Sequence, residues 1–195
     1  MITYDILYQE KFSRVELLMR SFFGWLYILI PHGFLLAFVF LAAFFLGVVA
    51  FFAVLFTGTY PANLFEFQLR ALRWNARVEA RIMHLCDGLP AFGMKASDPR
   101  VVLDIPYPER LGQGHLLLRV LFGWFYCLIP HGFVLAFRSL ATLVLAFLAW
   151  WSVLFTGKYP ASWHAFNVGT LRWNYRVSAY ILFLSDTYPP FSGKP

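Results

Sequence analysis

From Phe34 to Phe56 the chain runs through 23 residues without a charged side chain, and Phe133 to Phe155 repeats that run with a single interruption, Arg138. At 1.5 Å per residue, a helix of that length covers a hydrocarbon core of about 30 Å. Both runs are therefore predicted to be transmembrane helices, with Arg138 close enough to one end to snorkel toward the nearer interface. Composition agrees: 60% of the 195 residues are hydrophobic and only 13% are charged, with a mean hydropathy of +0.63, outside the range of water-soluble domains. A shorter apolar run precedes each long one, Val15 to Ile30 and His115 to Ile129, with Arg20 and Arg119 near its start. These lengths suit short spans or re-entrant segments.

Shifting the chain by 99 positions aligns it with itself without a gap, and roughly half of the paired residues are identical. Asp5, Tyr8 and Glu10 fall on Asp104, Tyr107 and Glu109, Arg20 on Arg119, and Pro31, His32 and Gly33 on Pro130, His131 and Gly132. LFTGTYPA at Leu55 to Ala62 falls on LFTGKYPA at Leu154 to Ala161, LRWNAR on LRWNYR, and Asp87 on Asp186. This is an internal repeat. Repeat 1 covers residues 1–93 and repeat 2 residues 101–195, joined by a polar linker at 94–100 that contains Pro99.

Each repeat parses into four pieces. An alternating arm at 2–10 or 101–109 is a short strand or an extended interfacial segment. Two helices follow, 14–30 and 33–56 in repeat 1 and 115–129 and 132–155 in repeat 2, with Pro-His-Gly read as the reversal between them. TGxYP then ends one helix at glycine and opens the next at proline. The last piece, 62–86 or 161–185, has helical spacing; in repeat 1 it carries Arg70, Arg73, Arg77 and Arg81 within a stripe roughly 80° wide, beside Phe67, Trp74 and Val78. Such a helix is expected to lie in the membrane interface. The expected fold is thus an all-α membrane protein of two tandem repeats, each a transmembrane helical hairpin plus an amphipathic interfacial helix, with about four transmembrane helices. Lys11, Arg14 and Arg20 precede the first helix and four arginines follow the second, which places both termini on the cytoplasmic side. The N-terminal stretch lacks the apolar segment of a signal peptide, so no cleaved leader is expected.

The ordered series YPERL, LIPH, LFTGKYP, LRWNYRV and LSDTYPPF, from Tyr107 to Phe191, resembles the bacterial integral-membrane family known as domain of unknown function 4389, and the likeness extends over nearly all of both repeats. The resemblance implies a small inner-membrane module, sometimes in tandem, and carries no activity, cofactor or catalytic residue. Repeat 1 departs from the pattern at Gln9, where repeat 2 has Pro108, at Thr59 in place of Lys158, and at DGLPAF in place of DTYPPF.

Two constellations are candidate sites. His32 and His131, at equivalent positions, would sit at one membrane depth; two imidazoles there would suit a haem or metal ligand pair, and equally a structural or interfacial role capping the reversal. Tyr60, Arg73, Trp74 and Arg77, with Tyr159, Arg172, Trp173 and Arg176, combine guanidiniums that bind phosphate with aromatics that favour the headgroup layer, the chemistry of an anionic-lipid site. The alternative there is that Asp87 and Asp186 pair with these arginines and lock the helix in place. Cys86 and Cys127 are not equivalent and form no CxxC, so neither a disulfide framework nor a zinc site is indicated. No glycine-rich phosphate loop, HExxH or GxSxG is present, and no catalytic residue or cofactor is assigned. The net charge of +6 fits the anionic cytoplasmic leaflet, with no nucleic-acid-reading fold in view. The exposed aromatics point to an accessory or scaffold subunit of a larger membrane complex in the bacterial inner membrane, the alternative being a protein that binds, senses or transports anionic lipid.

Overall fold

The computed structural model describes residues 2–195. In chain order its elements are β1 (Thr3–Ile6), α1 (Arg14–Gly24), a π-helical turn (Trp25–Leu29), α2 (Ile30–Thr57), α3 (Ala62–Ile82), β2 (Val101–Asp104), α4 (Gln113–Gly123), a second π-helical turn (Trp124–Leu128), α5 (Ile129–Thr156) and α6 (Ala161–Ile181). The molecule is mostly helical and visibly duplicated, each element of repeat 1 having its counterpart in repeat 2.

The Pro-His-Gly segments are not reversals. Arg14–Thr57 and Gln113–Thr156 are each one continuous helix of 44 residues, so the expected hairpins and four spans give way to two long helices. Chemistry explains how proline is tolerated. Inside an ordinary helix its ring collides with the carbonyl four residues back, and it offers no N–H. Here the turn directly before it is widened: the Ile30 N–H reaches back five residues to the Trp25 carbonyl, and Ile129 does the same to Trp124. Pro31 and Pro130 then stand in the first turn of α2 and α5, where a missing N–H costs little. Both helices are long and apolar enough to cross a membrane.

Each long helix ends as the TGxYP motif predicts, on a left-handed glycine, Gly58 at φ 70° and Gly157 at φ 71°. Pro61 and Pro160 then stand at the N-caps of α3 and α6. α3 packs along α2 and α6 along α5. Both short helices stop earlier than expected, at Ile82 and Ile181, where Leu85 N–H bonds the Ala80 carbonyl and Leu184 N–H that of Ala179. That closing pattern needs a left-handed residue, and His84 (φ 55°) and Phe183 (φ 61°) supply it without glycine.

α3 and α6 are each covered by the rest of the protein over about half of their residues. Of their 21 residues each, 11 in α3 and 13 in α6 are buried, because α2, α5 and the two strands cover them. Each arm contains a short strand, one of the two alternatives expected, and the strands join across the repeats: β1 pairs antiparallel with β2, Thr3 opposite Asp104 and Ile6 opposite Val101. The repeats are further exchanged at the helix ends, α1 packing on α5 and α4 on α2.

Candidate functional site

The arginines expected at a headgroup site are tied into the protein. Arg73 donates to the Leu103 carbonyl (2.8 Å) and to Asp104 (2.8 Å), and its counterpart Arg172 to the Tyr4 carbonyl (2.7 Å), Asp5 (3.0 Å) and the Gly193 carbonyl (2.8 Å). Arg77 donates to the carbonyls of Ala91 and Gly93, and Arg176 to those of Ser192 and Lys194. These four guanidiniums staple the returning chain and the strand ribbon to α3 and α6. Tyr60, Tyr159, Trp74 and Trp173 are buried within the protein.

The tryptophans explain the histidines. Trp74 Nε1–H donates to His32 Nδ1 (2.9 Å) and Trp173 Nε1–H to His131 Nδ1 (2.8 Å), 42 residues apart in sequence in both cases. With Nδ1 an acceptor, the proton of each neutral ring sits on Nε2. Phe92 packs edge-on to His32, and Phe191 stacks on His131 with ring centroids 3.9 Å apart. The two imidazoles belong to separate aromatic clusters, one with Trp74 and the other with Trp173, so they do not form the facing pair that a shared ligand would need. Each histidine pins the proline-widened turn of a long helix to the short helix beside it.

The aspartates lock the fold, as one reading of the sequence had it, but to different arginines. Asp87 pairs with Arg20 (3.1 Å) and Asp186 with Arg119 (2.7 Å). Arg20 also donates to the Cys86 carbonyl, and Arg119 to those of Tyr180 and Ser185. The second Asp87 oxygen accepts the Ser13 N–H at the start of α1 (2.7 Å), and the second Asp186 oxygen accepts the Gly112 N–H (2.6 Å). One carboxylate thus caps a long helix and neutralises the arginine about two turns further on. The sequence reading does not name Arg20 and Arg119 as the partners; their recurrence at the same offset inside apolar runs is the available signal, since a lone buried cation is costly.

Three further polar features escaped sequence reading. Arg81 pairs with Asp98 of the linker at 2.7 Å, both side chains buried; repeat 2 has Tyr180 in place of Arg81. Arg138, within α5, lies over the Phe166 ring and donates to Thr170 Oγ1 (2.9 Å). Glu79, on α3, accepts from the Tyr175 hydroxyl of α6 (2.8 Å), and Asn75 donates to that same hydroxyl (3.0 Å). Burial raises the Glu79 pKa above the ordinary carboxylate value, partly offset by the tyrosine hydrogen bond. Among the described residues no cluster of three or more His, Cys, Asp or Glu side chains has the arrangement to hold a metal ion.

No curated protein and no solved structure matches the chain. A family model does, twice, over residues 17–93 and 115–193, which coincide with the two structural repeats. The chain therefore belongs to the family described as domain of unknown function DUF4389, of which it holds two tandem copies.

Proposed function

We propose that the protein is a non-enzymatic, membrane-embedded accessory or scaffold subunit of a larger assembly in the bacterial inner membrane. The observation that carries this reading is the inverted placement of polar and apolar side chains. Phe22, Phe34, Phe44, Phe56, Phe133 and Phe155 on the long helices are all more than 60% exposed, while Arg20, Arg77, Arg81, Arg119, Arg172 and Arg176 are buried. In water this arrangement forfeits most of the hydrophobic driving force. In lipid it is the sensible one, because the apolar faces meet chains or partner helices, and each of these buried arginines has a hydrogen-bond or ion-pair partner inside the protein.

A photoreactive phenylalanine analogue at Phe45 and at Phe147 in native membranes tests the partner. Crosslinking to one protein of defined mass, competed by the unmodified chain, is the expected result. Products containing lipid alone would sink the scaffold reading.

The second reading is anionic-lipid binding. It is favoured by one groove of about 830 Å³ between α3, the linker and β2, where Arg70, Arg73, Arg77 and Lys95 gather with Glu66 and Asp104. Replacing Arg70 and Lys95 by glutamine spares the arginines that staple the fold. Loss of retained anionic lipid in that double variant would support the reading, and unchanged lipid content would count against it.

A further inference from the structure

Two adjoining cavities lie between the repeats. The first, about 340 Å³, is walled by apolar side chains that include Phe40, Phe44, Val48 and Val120. Its one polar lining residue, Gln68, is already bonded to the Ala43 carbonyl (2.6 Å). The second, about 450 Å³, shares Phe40 and Leu182 with the first and is lined by Asn75, Glu79, Asn174 and Ser178 among further apolar residues. Both volumes are in the range of small-molecule sites.

The polar end is rich in acceptors and has no cation. Glu79 is in no ion pair of the described residues. One of its oxygens accepts from Tyr175, and the other accepts from no protein donor. The Asn174 amide and the Ser178 hydroxyl border the same cavity, and neither side chain has a hydrogen-bond partner among the described residues. Glu79 occurs once: the equivalent residue of repeat 2 is Ser178. The duplication has therefore produced a single site, with the carboxyl contributed by one repeat and the hydroxyl by the other.

The lining offers an anionic head no cation to balance it, and a wholly apolar ligand would leave the carboxyl and the Asn174 amide unsatisfied. We propose that the joined cavities bind a single-chain amphiphile with a protonated amine head, its hydrocarbon lying against Phe40, Phe44 and Val120 and its ammonium donating to Glu79, Asn174 and Ser178. Burial favours the neutral carboxyl, and an ammonium beside it restores the carboxylate, so the two charges enter as a pair. The site lies within one chain and needs no partner subunit.

The full chain in phosphatidylcholine nanodiscs, titrated with radiolabelled dodecylamine, tests this. Saturable binding of one amine per chain above the uptake of empty nanodiscs is expected, with no saturable binding of dodecanoate. Glu79→Gln should weaken amine binding by about tenfold or more, the factor expected for losing a charged hydrogen bond. Phe40→Trp, which adds bulk where the two cavities share a wall and leaves Glu79, Asn174 and Ser178 in place, should weaken it independently. Uptake equal to that of empty nanodiscs overturns the proposal. So does unchanged affinity in a Glu79→Gln variant that melts like the wild type, or in Phe40→Trp should Glu79→Gln not fold.

Discussion

Asp87 and Asp186 hold equivalent posts in different surroundings, and that difference sets what each is worth. The Asp87 side chain is 7% exposed beside a 4% exposed Arg20, whereas the Asp186 side chain is 29% exposed. Neutralising the first leaves a buried guanidinium without its counter-charge, a loss of about 3–5 kcal/mol. Water screens the second, so Asp186→Asn should cost less, about 1–3 kcal/mol. Thermal unfolding in one detergent should therefore rank the variants wild type, Asp186→Asn, Asp87→Asn; equal losses would mean that water reaches Asp87. His84 adds a pH dependence. Its Nδ1 accepts from Arg20 Nε–H at 3.1 Å, and burial, with the Arg20 guanidinium reinforcing it and Asp87 opposing, lowers its pKa to about 4. In the unfolded chain it takes up a proton near pH 6.5. Between those values the unfolded state binds more protons, so stability is lost as pH falls from about 6.5 toward about 4. His84→Asn keeps an acceptor for Arg20 and tolerates the left-handed backbone. Its stability relative to wild type should rise as pH is lowered through that window; a constant difference would show that His84 does not titrate there. Both aspartates were legible as structural locks, because they recur near clustered arginines. Their partners were not, because Arg20 and Arg119 reach them across 67 residues of intervening chain.

Element boundaries were readable where the signal is local and misread where the solvent decides. TGxYP ends one helix and begins another because glycine takes a left-handed backbone and proline suits a helix start, whatever surrounds them. Pro-His-Gly was read as a turn by rules suited to water, where freed backbone groups find hydrogen bonds. In an apolar setting an open reversal leaves those groups unsatisfied, and a helix widened by one residue satisfies nearly all of them. The helical period of α3 was likewise visible, but its burial was not, since a cationic stripe fits an internal helix once strands and tails supply carbonyls. The placement of α3 has a consequence for water. Gln68 bonds the carbonyl of Ala43, at the centre of α2, and the Glu66–Arg70 pair, two residues to either side of Gln68, is about 40% exposed. Such a pair facing hydrocarbon at the middle of a span would cost several kcal/mol, so water is expected to reach this face of α3. Native Cys86 and Cys127 are fully buried and leave a low background for labelling. In opened membrane vesicles Glu66→Cys should react with an impermeant maleimide about as fast as Lys95→Cys, while Phe45→Cys stays protected until detergent is added. Protection at Glu66→Cys would mean that this face is covered.

At the scale of the whole molecule, the duplication was plain in the sequence, but the exchange between its halves was not. Identity between copies shows that two modules exist, and it is silent on whether an arm serves its own repeat or the other one. The structure answers reciprocally. The Phe12 N–H bonds the Gly157 carbonyl and the Leu111 N–H that of Gly58, both across repeats. The Tyr8 hydroxyl donates to the Tyr159 carbonyl (2.8 Å), and that of Tyr107 to the Tyr60 carbonyl. Arg172 holds the β1 backbone as Arg73 holds that of β2, and Tyr4 stacks on Tyr175 with centroids 4.8 Å apart. Each repeat thus closes the other's helix ends with its own arm, and neither encloses a complete core: the main cluster draws on Tyr4, Leu17, Val54 and Leu85 from one and Leu116, Val153, Tyr159 and Leu184 from the other. Cohesion therefore comes from contacts across the repeats more than from the covalent linker. A protease site inserted between Met94 and Lys95 should leave the two cleaved halves co-eluting in mild detergent, with a melting transition within a few degrees of the intact chain. Repeat 1 expressed alone, deprived of β2, α4 and α5, should be degraded or should pair with a second copy of itself. Halves that separate on cleavage, or a stable monomeric repeat 1, would show that each copy carries its own core.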